Sequence, residues 1–473
     1  MSAFFLALIS YNFVDIDIWH QMGLIRESLP AGHLLKSDPY AYTPTLSPWI
    51  DHEWGAGAIA FFMSLWFGGR AILVVKFLMA WGTGFLCVRC SEKMGTDFRL
   101  LGACAPLAIF LAHLGFFTAV RAQVYTFFFA ALLMFFWQFD RAGTRGWMVA
   151  WLVLFPLWVN LHGGFVVGVG LMVLYGVEKL LRGENVRFLL LALAGMLLET
   201  FLTPYGMAYF GYLRRALVMA RPYAPEWRPV WDLGPAWVIF FTTAVAIVIY
   251  SVLSTGFRDK VGILPLAATA FEATLHRKLL PLFAVAWICF APSYLQPTAA
   301  GRWIVDFTRR RSRFAIAVWV SLTCVCLVAA IRQKPWDISV PQPIYPVGPV
   351  QYLREQNFKG NVMVPFRLGA YLSWKLFPAV KVSLDGRYEE TYPDEVIENI
   401  FRLYEARPGW QAVLDAYPTD VVLVPRDSPV AGKVASTGWQ EVYQDREFVL
   451  YARPGRSLPP ADRRSSTFAG VFP

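Results

Sequence analysis

A polytopic bundle of membrane-spanning helices followed by a small soluble α/β domain is the architecture this sequence predicts, and three observations predict it. Hydrophobic residues make up 56% of the 473 positions and charged residues only 16%, where a soluble globular domain carries about 25% charge. The apolar residues are gathered into runs of the order of 20 residues, the length needed to cross hydrocarbon. After Gln333 the composition changes to a Pro-rich linker and then to strands and helices of soluble type. The formal charge of +10 does not indicate nucleic acid. Arg and Lys fall mostly in short connections between apolar runs, where the positive-inside rule explains them, so nucleic-acid binding is rejected.

Taken in order, Met1 to Val14 is apolar but short, and it lacks a basic leader and a small-residue cleavage site, so it reads as a spanning anchor rather than a signal peptide. The first outer loop, 15–70, is rich in Trp, Tyr, Pro and His and includes the apolar stretch Trp54–Phe67, which is too short to cross comfortably. Placing that stretch in the interface makes the remaining charges obey the positive-inside rule, whereas treating it as a span reverses them. Further spans follow at about 71–90, 100–118, 122–139, 147–160, 163–180, 187–203, 236–255, 261–275, 279–294 and 314–331, roughly eleven in all. The connections carrying Arg89, Lys93 and Arg99; Arg141 and Arg145; Lys179, Arg182 and Arg187; Arg258 and Lys260; and Arg302 with Arg309–Arg313 become cytoplasmic.

The helical domain thus covers 1–332, a linker 333–349, an extracytoplasmic α/β domain 350–453, and a Pro/Ser/Arg-rich tail 454–473 is expected to be disordered. Within the α/β domain, Asn361–Phe366, Val380–Leu384 and Asp420–Val424 read as buried strands, Gly369–Leu376 and Asp394–Tyr417 as helices, and Glu441–Arg453 as a hairpin turning near Asp445-Arg446. The six cysteines all lie in apolar segments, where they pack as small hydrophobes. Cys87-x-x-Cys90 has no second pair, so no zinc site follows.

On this topology the ionisable residues beside the apolar runs gather at one face: Asp15, Asp17, Asp51, His52, Glu53, Arg121, His162, Glu199, Glu272 and Arg277. Charge at the edge of hydrocarbon costs free energy, so its concentration on one side points to a polar site. Asp15-Ile-Asp17 lies where the first helix leaves the membrane. A carboxylate in a partly dry cleft has a raised pKa suited to accepting a hydroxyl proton near neutral pH, while the competing reading is N-capping of the helix that follows. The same two acids could hold a divalent cation, but two donors fall short of a full shell, and the metal is left unknown.

Asp51 is a natural N-cap of the interfacial helix, and Glu53 complements its dipole. His52 and Glu53 also suit acceptor or metal binding, although neighbours on a helix do not share a face, which argues against a joint chelate. Arg121 and Gln123 open the span 122–139, and Asn160 and His162 make the turn Asn160-Leu-His162-Gly163-Gly164; a cation with amide and imidazole donors suits a phosphate or sugar hydroxyls. His276-Arg277-Lys278 adds a basic cluster suited to a leaving phosphate, with snorkelling as the alternative. The segment 204–235 breaks the positive-inside rule with Arg214, Arg215, Arg221 and Arg228, which fits anionic headgroups or a lipid-linked phosphate. No Gly-rich phosphate loop, serine elbow or zinc-protease helix is present. Energy must therefore arrive on an activated lipid or as an ion gradient.

The stretches D-I-D-I-W-H-Q-M-G-L-I-R, S-D-P-Y-A-Y-T and W-I-D-H-E-W resemble the first outer loop of bacterial multispanning glycosyltransferase-like proteins of the GT-C superfamily. R-A-Q-V-Y-T-F, L-W-V-N-L-H-G-G-F, L-T-P-Y-G, E-W-R-P, H-R-K-L-L-P-L-F and V-S-L-D-G-R-Y extend the resemblance over nearly the whole chain. It implies a polyprenyl-phosphate-linked sugar donor and a catalytic acid in the first outer loop, the place held by Asp15 and Asp17. One of them would deprotonate an acceptor hydroxyl while Arg121, Arg277 or Arg214 and Arg215 neutralise the departing lipid phosphate, with inversion at the anomeric carbon. His52, Glu53, Gln123, Asn160, His162 and Glu226 would then contact acceptor or sugar. The acceptor is expected to be an envelope glycan, lipid or protein, and the protein to lie in the cytoplasmic membrane of a bacterium, N-terminus inside and α/β domain outside. The alternatives are a lipid-linked glycan flippase and a non-enzymatic assembly partner.

Overall fold

The computed structural model describes residues 2–116, 121–219, 221, 223–464 and 470–473. The end of the expected span 100–118, residues 220 and 222 of the segment 204–235, and 465–469 of the tail lie outside the described residues. The chain divides into two compact units.

One unit joins Met1–Asn12, Arg70–Thr203 and Ala220–Asp337, and the regular secondary structure of its described residues is helical. A helix stands at each of the eleven expected spans. Among the described residues, four are long and apolar enough to cross a membrane: Ala71–Lys93, Phe98–Gly115, Pro235–Thr255 and Arg277–Leu295. They differ in environment. Arg277–Leu295 is 83% buried over its apolar window and forms the centre of this unit, whereas Pro235–Thr255 is 17% buried and offers its apolar surface outward, as a lipid-facing helix does. The Trp287 indole N–H, at the centre, donates to the Ala244 carbonyl at 2.9 Å, which satisfies a buried donor.

The polar connections meet in satisfied groups. Asp140 accepts from Lys179 Nζ at 2.6 Å and from the Tyr175 hydroxyl at 3.0 Å, and it also pairs with Arg145. Glu178 accepts from the amides of Gly262 (2.7 Å) and Leu264 (3.1 Å), and so caps the helix Ile263–Leu275, while Arg182 Nη2 reaches the Lys260 carbonyl at 2.7 Å. The connections around 141–145, 179–184 and 258–262, which the sequence assigns to one face, are thereby drawn together.

The other unit joins Phe13–Gly69, Pro204–Met219 and Ile338–Pro473. Among its described residues the six strands are β1 (Gly360–Met363), β2 (Val380–Val382), β3 (Val421–Pro425), β4 (Gln440–Gln444), β5 (Phe448–Ala452) and β6 (Ala461–Asp462), in the order β2-β1-β3-β5-β4-β6. β2, β1 and β3 are parallel, and β3-β5 and β5-β4 antiparallel. Val421–Val424 is buried throughout, as a continuous apolar run in a covered parallel strand should be. The hairpin turns where Asp445 Oδ1 accepts from the amides of Glu447 and Phe448 at 2.8 and 2.7 Å.

Two features differ from the sequence reading. The single helix expected over 394–417 is two, Asp394–Tyr404 and Trp410–Ala416, because Pro408 disfavours a helical residue before it and Gly409 takes φ 79°, which glycine alone adopts freely. From Pro454, where disorder is expected, Ala461–Asp462 adds β6 to the sheet, parallel to β4. The first outer loop, as far as Gly69, belongs to this unit. Tyr42 N donates to Val382 O at 3.1 Å and Val382 N to Tyr40 O at 3.0 Å, so the loop continues the sheet beyond β2.

Candidate functional site

β2 is parallel to β1, and the chain leaving its carboxyl end carries Asp385 and Arg387 and then the short helix Tyr388–Thr391. Groups gathered beyond the carboxyl ends of parallel strands are well placed to form a site. Arg387 is fully buried. It donates from Nε and Nη2 to Asp385 at 2.7–3.0 Å, from Nη2 to the Tyr392 hydroxyl at 3.1 Å and from Nη1 to Asp38 of the first loop, and lies over the Trp49 ring at 4.7 Å. Burial opposes the Asp385 charge, but Arg387 outweighs it and holds the carboxyl below its ordinary value.

Beside this triad lies a second buried cluster. Its members come from the helix Ile18–Ala31 (His20), the turn before the helix Trp54–Phe67 (Asp51, His52, Glu53) and the helix Tyr388–Thr391 (Glu390). His52 Nδ1 contacts Glu390 Oε1 and, at 2.9 Å, the Tyr212 hydroxyl, whose ring stacks on the imidazole. His52 Nε2 lies 3.4 Å from Glu53 Oε1, and Gln21 donates to the other Glu53 oxygen. Asp51 Oδ1 accepts from the Glu53 amide at 2.7 Å, and the Asp51 amide donates to the Tyr205 hydroxyl at 3.3 Å.

The ionisation of the cluster is strongly perturbed. Burial works against a charge on His20, but Asp17, by hydrogen bond and charge, with Asp51 and Glu390, raises it to about 9. Burial raises Asp51 and takes Glu390 to about 7. His52 is pushed up against its own burial by Glu390 and Glu53. One potential ligand atom from each of His20, Asp51 and Glu390 lies within 4.8 Å of the other two.

The two first-loop acids expected to act together are in different environments. Asp15 is 8% exposed, and its Oδ1 accepts from the Asp17 amide at 3.1 Å, which fixes the turn. Asp17 occupies the N-cap position of Ile18–Ala31 but makes no side-chain capping bond. Its side chain is 24% exposed and lies 3.7 Å from His20 Nε2. A Cβ on Gly386 would come within 2.9 Å of Asp17 Oδ1, so glycine permits this approach. Neither Asp15 nor Asp17 belongs to the three-residue ligand group.

Two expectations about 51–53 are corrected. The N-cap of Trp54–Phe67 is Glu53 rather than Asp51, and neither His52 nor Glu53 is helical, so the face argument against their meeting does not apply and their side chains touch. From the helix Ala208–Val218 in the same unit, Arg214 is exposed, whereas Arg215 keeps Nε and Nη2 buried without a hydrogen-bond partner among the described residues.

The remaining expected residues belong to the helical unit. Arg121 Nη2 pairs with Glu226 at 2.6 Å, and the Arg277 amide donates to the Arg228 carbonyl at 2.8 Å. The Trp227 ring lies against Lys278 (3.3 Å) and Arg221 (4.4 Å), so the region 226–228 draws together the basic segments around 121, 221 and 277. Gln123 opens the helix Gln123–Arg141. Asn160 Nδ2 donates to the Leu202 and Pro156 carbonyls at 2.8 Å, which ties two helix ends together. His162 Nδ1 accepts from the Gly164 amide at 2.9 Å and faces the Thr126 hydroxyl at 2.7 Å, which places the ring proton on Nε2.

His20, Glu390 and the tyrosines 205 and 212 carried no role in the sequence reading. His20 falls in the D-I-D-I-W-H stretch and Glu390 just beyond V-S-L-D-G-R-Y, so a polar run directly after a buried strand was the available signal.

Neither a family model nor a curated protein sequence matches the chain. Among solved structures it is similar to the archaeal oligosaccharyltransferase AglB from Archaeoglobus fulgidus, determined in complex with an inhibitory peptide and a dolichol-phosphate. The TM-score is 0.54 at 11% identity, over 88% of this chain and 66% of that one, so the chain spans less than two thirds of that protein's length. Likeness at this identity is likeness of fold alone.

Proposed function

We propose that this protein is a membrane glycosyltransferase that moves a sugar from a polyprenyl-phosphate-linked donor to an envelope glycan, lipid or protein acceptor on the outer face of a bacterial cytoplasmic membrane. The observation that carries the reading is the partly exposed Asp17 carboxylate, set in the first outer loop beside a buried ionisable cluster, in a chain whose fold is similar to that of an oligosaccharyltransferase. In this reading the chain crosses the membrane about eleven times with its N-terminus inside, and the α/β domain 350–453 stands outside.

Asp17 takes the proton of the acceptor hydroxyl, and Asp15 positions it through the Asp17 amide. The acceptor oxygen forms a bond to the anomeric carbon with inversion, and the electron pair of the broken glycosyl bond leaves on the polyprenyl phosphate. Guanidinium groups neutralise that charge. Arg214, Arg215, Arg121 and Arg277 are assigned to the donor phosphate, and the buried, unsatisfied nitrogens of Arg215 favour it among them. His52, Glu53, Gln123, Asn160, His162 and Glu226 are assigned to acceptor or sugar. An apolar cavity of about 490 Å³ in the helical unit, lined by Phe5, Trp81, Phe85, Phe98 and Phe116 among others, suits an isoprenoid chain. The dolichol-phosphate and peptide bound by AglB make a lipid-linked donor and a peptide acceptor the first pair to try.

The test is transfer by the purified protein from a lipid-linked sugar. Asp17→Asn should lower turnover by about 100-fold or more with an unchanged melting temperature, and wild-type turnover would remove Asp17 from the reaction. Mass spectrometry of envelope glycans from deletion and parent strains separates the classes. A missing sugar supports transfer, whereas an unchanged glycan with redistributed lipid-linked precursors supports a flippase.

A further inference from the structure

We propose that the helix Ala299–Arg310, with the arginines that follow it, is a docking surface for an anionic phospholipid bilayer. The exposed Trp303 and Phe307 enter the headgroup layer, and Arg302, Arg309, Arg310, Arg311 and Arg313 bind lipid phosphates. The place of this helix is fixed from both sides within the helical unit. It joins Arg277–Leu295, long and apolar enough to cross a membrane, to the apolar helix Ser312–Arg332. The Thr298 hydroxyl caps it by accepting from the Gly301 amide at 3.0 Å. A Cβ on Gly301 would overlap the Leu295 carbonyl, so glycine lets the chain fold back sharply on the preceding helix. Gln296, which donates to the Gly95 carbonyl at 2.7 Å, and packing against Phe98–Ala112 hold it there. An amphipathic helix tethered to the end of a spanning segment lies at the level of the headgroups.

The exposed side of the helix is divided into two stripes at helical spacing. Arg302, Asp306 and Arg309 form one and Trp303, Phe307 and Arg310 the other, while Gly301, Val305 and Thr308 form the less exposed side. Trp303 is 64% exposed and Phe307 40%. Their rings stack at 5.2 Å, and the Arg311 guanidinium lies 5.4 Å from the Phe307 ring centre, which ends the aromatic ridge in a cation. Five arginines between 302 and 313 accompany a single acid, Asp306, and none of the five forms a salt bridge among the described residues. Arg302 does donate to the Pro297 carbonyl. By contrast Arg89 pairs with Glu92 at 2.7 Å and Arg99 with Asp97 at 3.4 Å. An acidic protein or a nucleic acid would satisfy the guanidinium groups and leave the aromatic ridge in water. Anionic headgroups over acyl chains satisfy both, with the rings in the interface and the long arginine side chains reaching phosphate. In the topology proposed above this leaflet is the cytoplasmic one, where anionic lipid attracts basic segments. Glycosyl transfer has no part in this surface, so failure of either leaves the other standing.

The experiment places the full chain in nanodiscs of phosphatidylcholine mixed equally with phosphatidylglycerol and counts the lipid it retains on release by native mass spectrometry. Wild type should retain phosphatidylglycerol in preference to phosphatidylcholine, and the preference should fall as salt is raised. Arg309→Gln, Arg310→Gln and Arg311→Gln combined should lower it by about 100-fold, at about fivefold per arginine. The corresponding three lysine substitutions should keep most of it. Brominated acyl chains read depth: the part of the tryptophan emission that is lost in Trp303→Phe should be quenched by them in the wild type. Equal retention of the two lipids by wild type, or an undiminished preference in the glutamine variant, overturns the surface. A Trp303 emission untouched by brominated lipid overturns it too, and points to a soluble acidic partner instead. If the glutamine variant fails to fold, the wild type decides, since a preference indifferent to salt overturns the proposal equally.

Discussion

Two buried polar groups grow from the one segment after β2, and they differ in how fully their atoms are satisfied. Around Arg387, no side-chain atom of Asp38, Asp385 or Arg387 is among the buried unpartnered atoms of the described residues, and the guanidinium joins first loop to sheet. Around Glu390, three ionisable side chains from three segments each keep one buried atom without a partner. A closed group of this kind holds a fold together. An open one stores unsatisfied bonds that a ligand can complete, so the triad reads as scaffold and the cluster as site.

The largest effect that would sharpen this contrast is on stability. Arg387→Ala leaves two buried carboxylates uncompensated and should cost about 3–5 kcal/mol, read as a large drop in thermal midpoint and loss of folded protein from the membrane fraction. Glu390→Gln should change stability by no more than about 1 kcal/mol, because the folded state already disfavours that charge. Comparable losses from the two substitutions would erase the distinction drawn between the groups.

A pH titration of the melting temperature should give an intermediate effect. His20, raised from 6.5 to about 9, contributes stability that is complete below its unfolded value and lost as pH rises through 9. Glu390, raised from 4.5 to about 7, also favours the protonated folded state, so its contribution falls between those two values. Both slopes have one sign, and the midpoint should decline from pH 4.5 to 9. Asp385 acts oppositely, losing its contribution as pH falls through its depressed value. His20→Gln should flatten the limb above pH 6.5, and a midpoint that rises over that limb in the wild type would contradict the placement of His20 among acids.

The smallest expected effect on stability belongs to Gly386→Ala. Its Cβ would meet the end of the Asp17 side chain at 2.9 Å rather than backbone, so the midpoint should move by about 1 kcal/mol or less. Sugar transfer should nevertheless fall several-fold, because Asp17 must turn away. Unchanged transfer would show that the approach of Asp17 to Gly386 has no bearing on activity.

Legibility of these features followed their range along the chain. The positions of the helices and of the buried strands β1 to β3 could be read from runs of apolar residues, a local pattern. The break at Pro408-Gly409 is also written locally, within an apolar spacing that continues on both sides of it. Asp17, His52 and Glu53 stood out as charges beside apolar segments. His20 and Glu390 did not, because nothing near either residue shows that its partner lies hundreds of positions away. Asn160 and His162 looked like donors for a ligand, yet the atoms Asn160 Nδ2 and His162 Nδ1 bind helix ends and a turn.

The membrane character of the helical part and the presence of a separate α/β sheet followed from sequence alone, since transfer of each side chain into hydrocarbon is set by its own chemistry and sums along a segment. Tertiary structure alone decided that the first outer loop completes the sheet beside β2, and which buried atoms find partners. Those outcomes depend on contacts between distant segments, and a linear pattern carries no information about the geometry in which they meet.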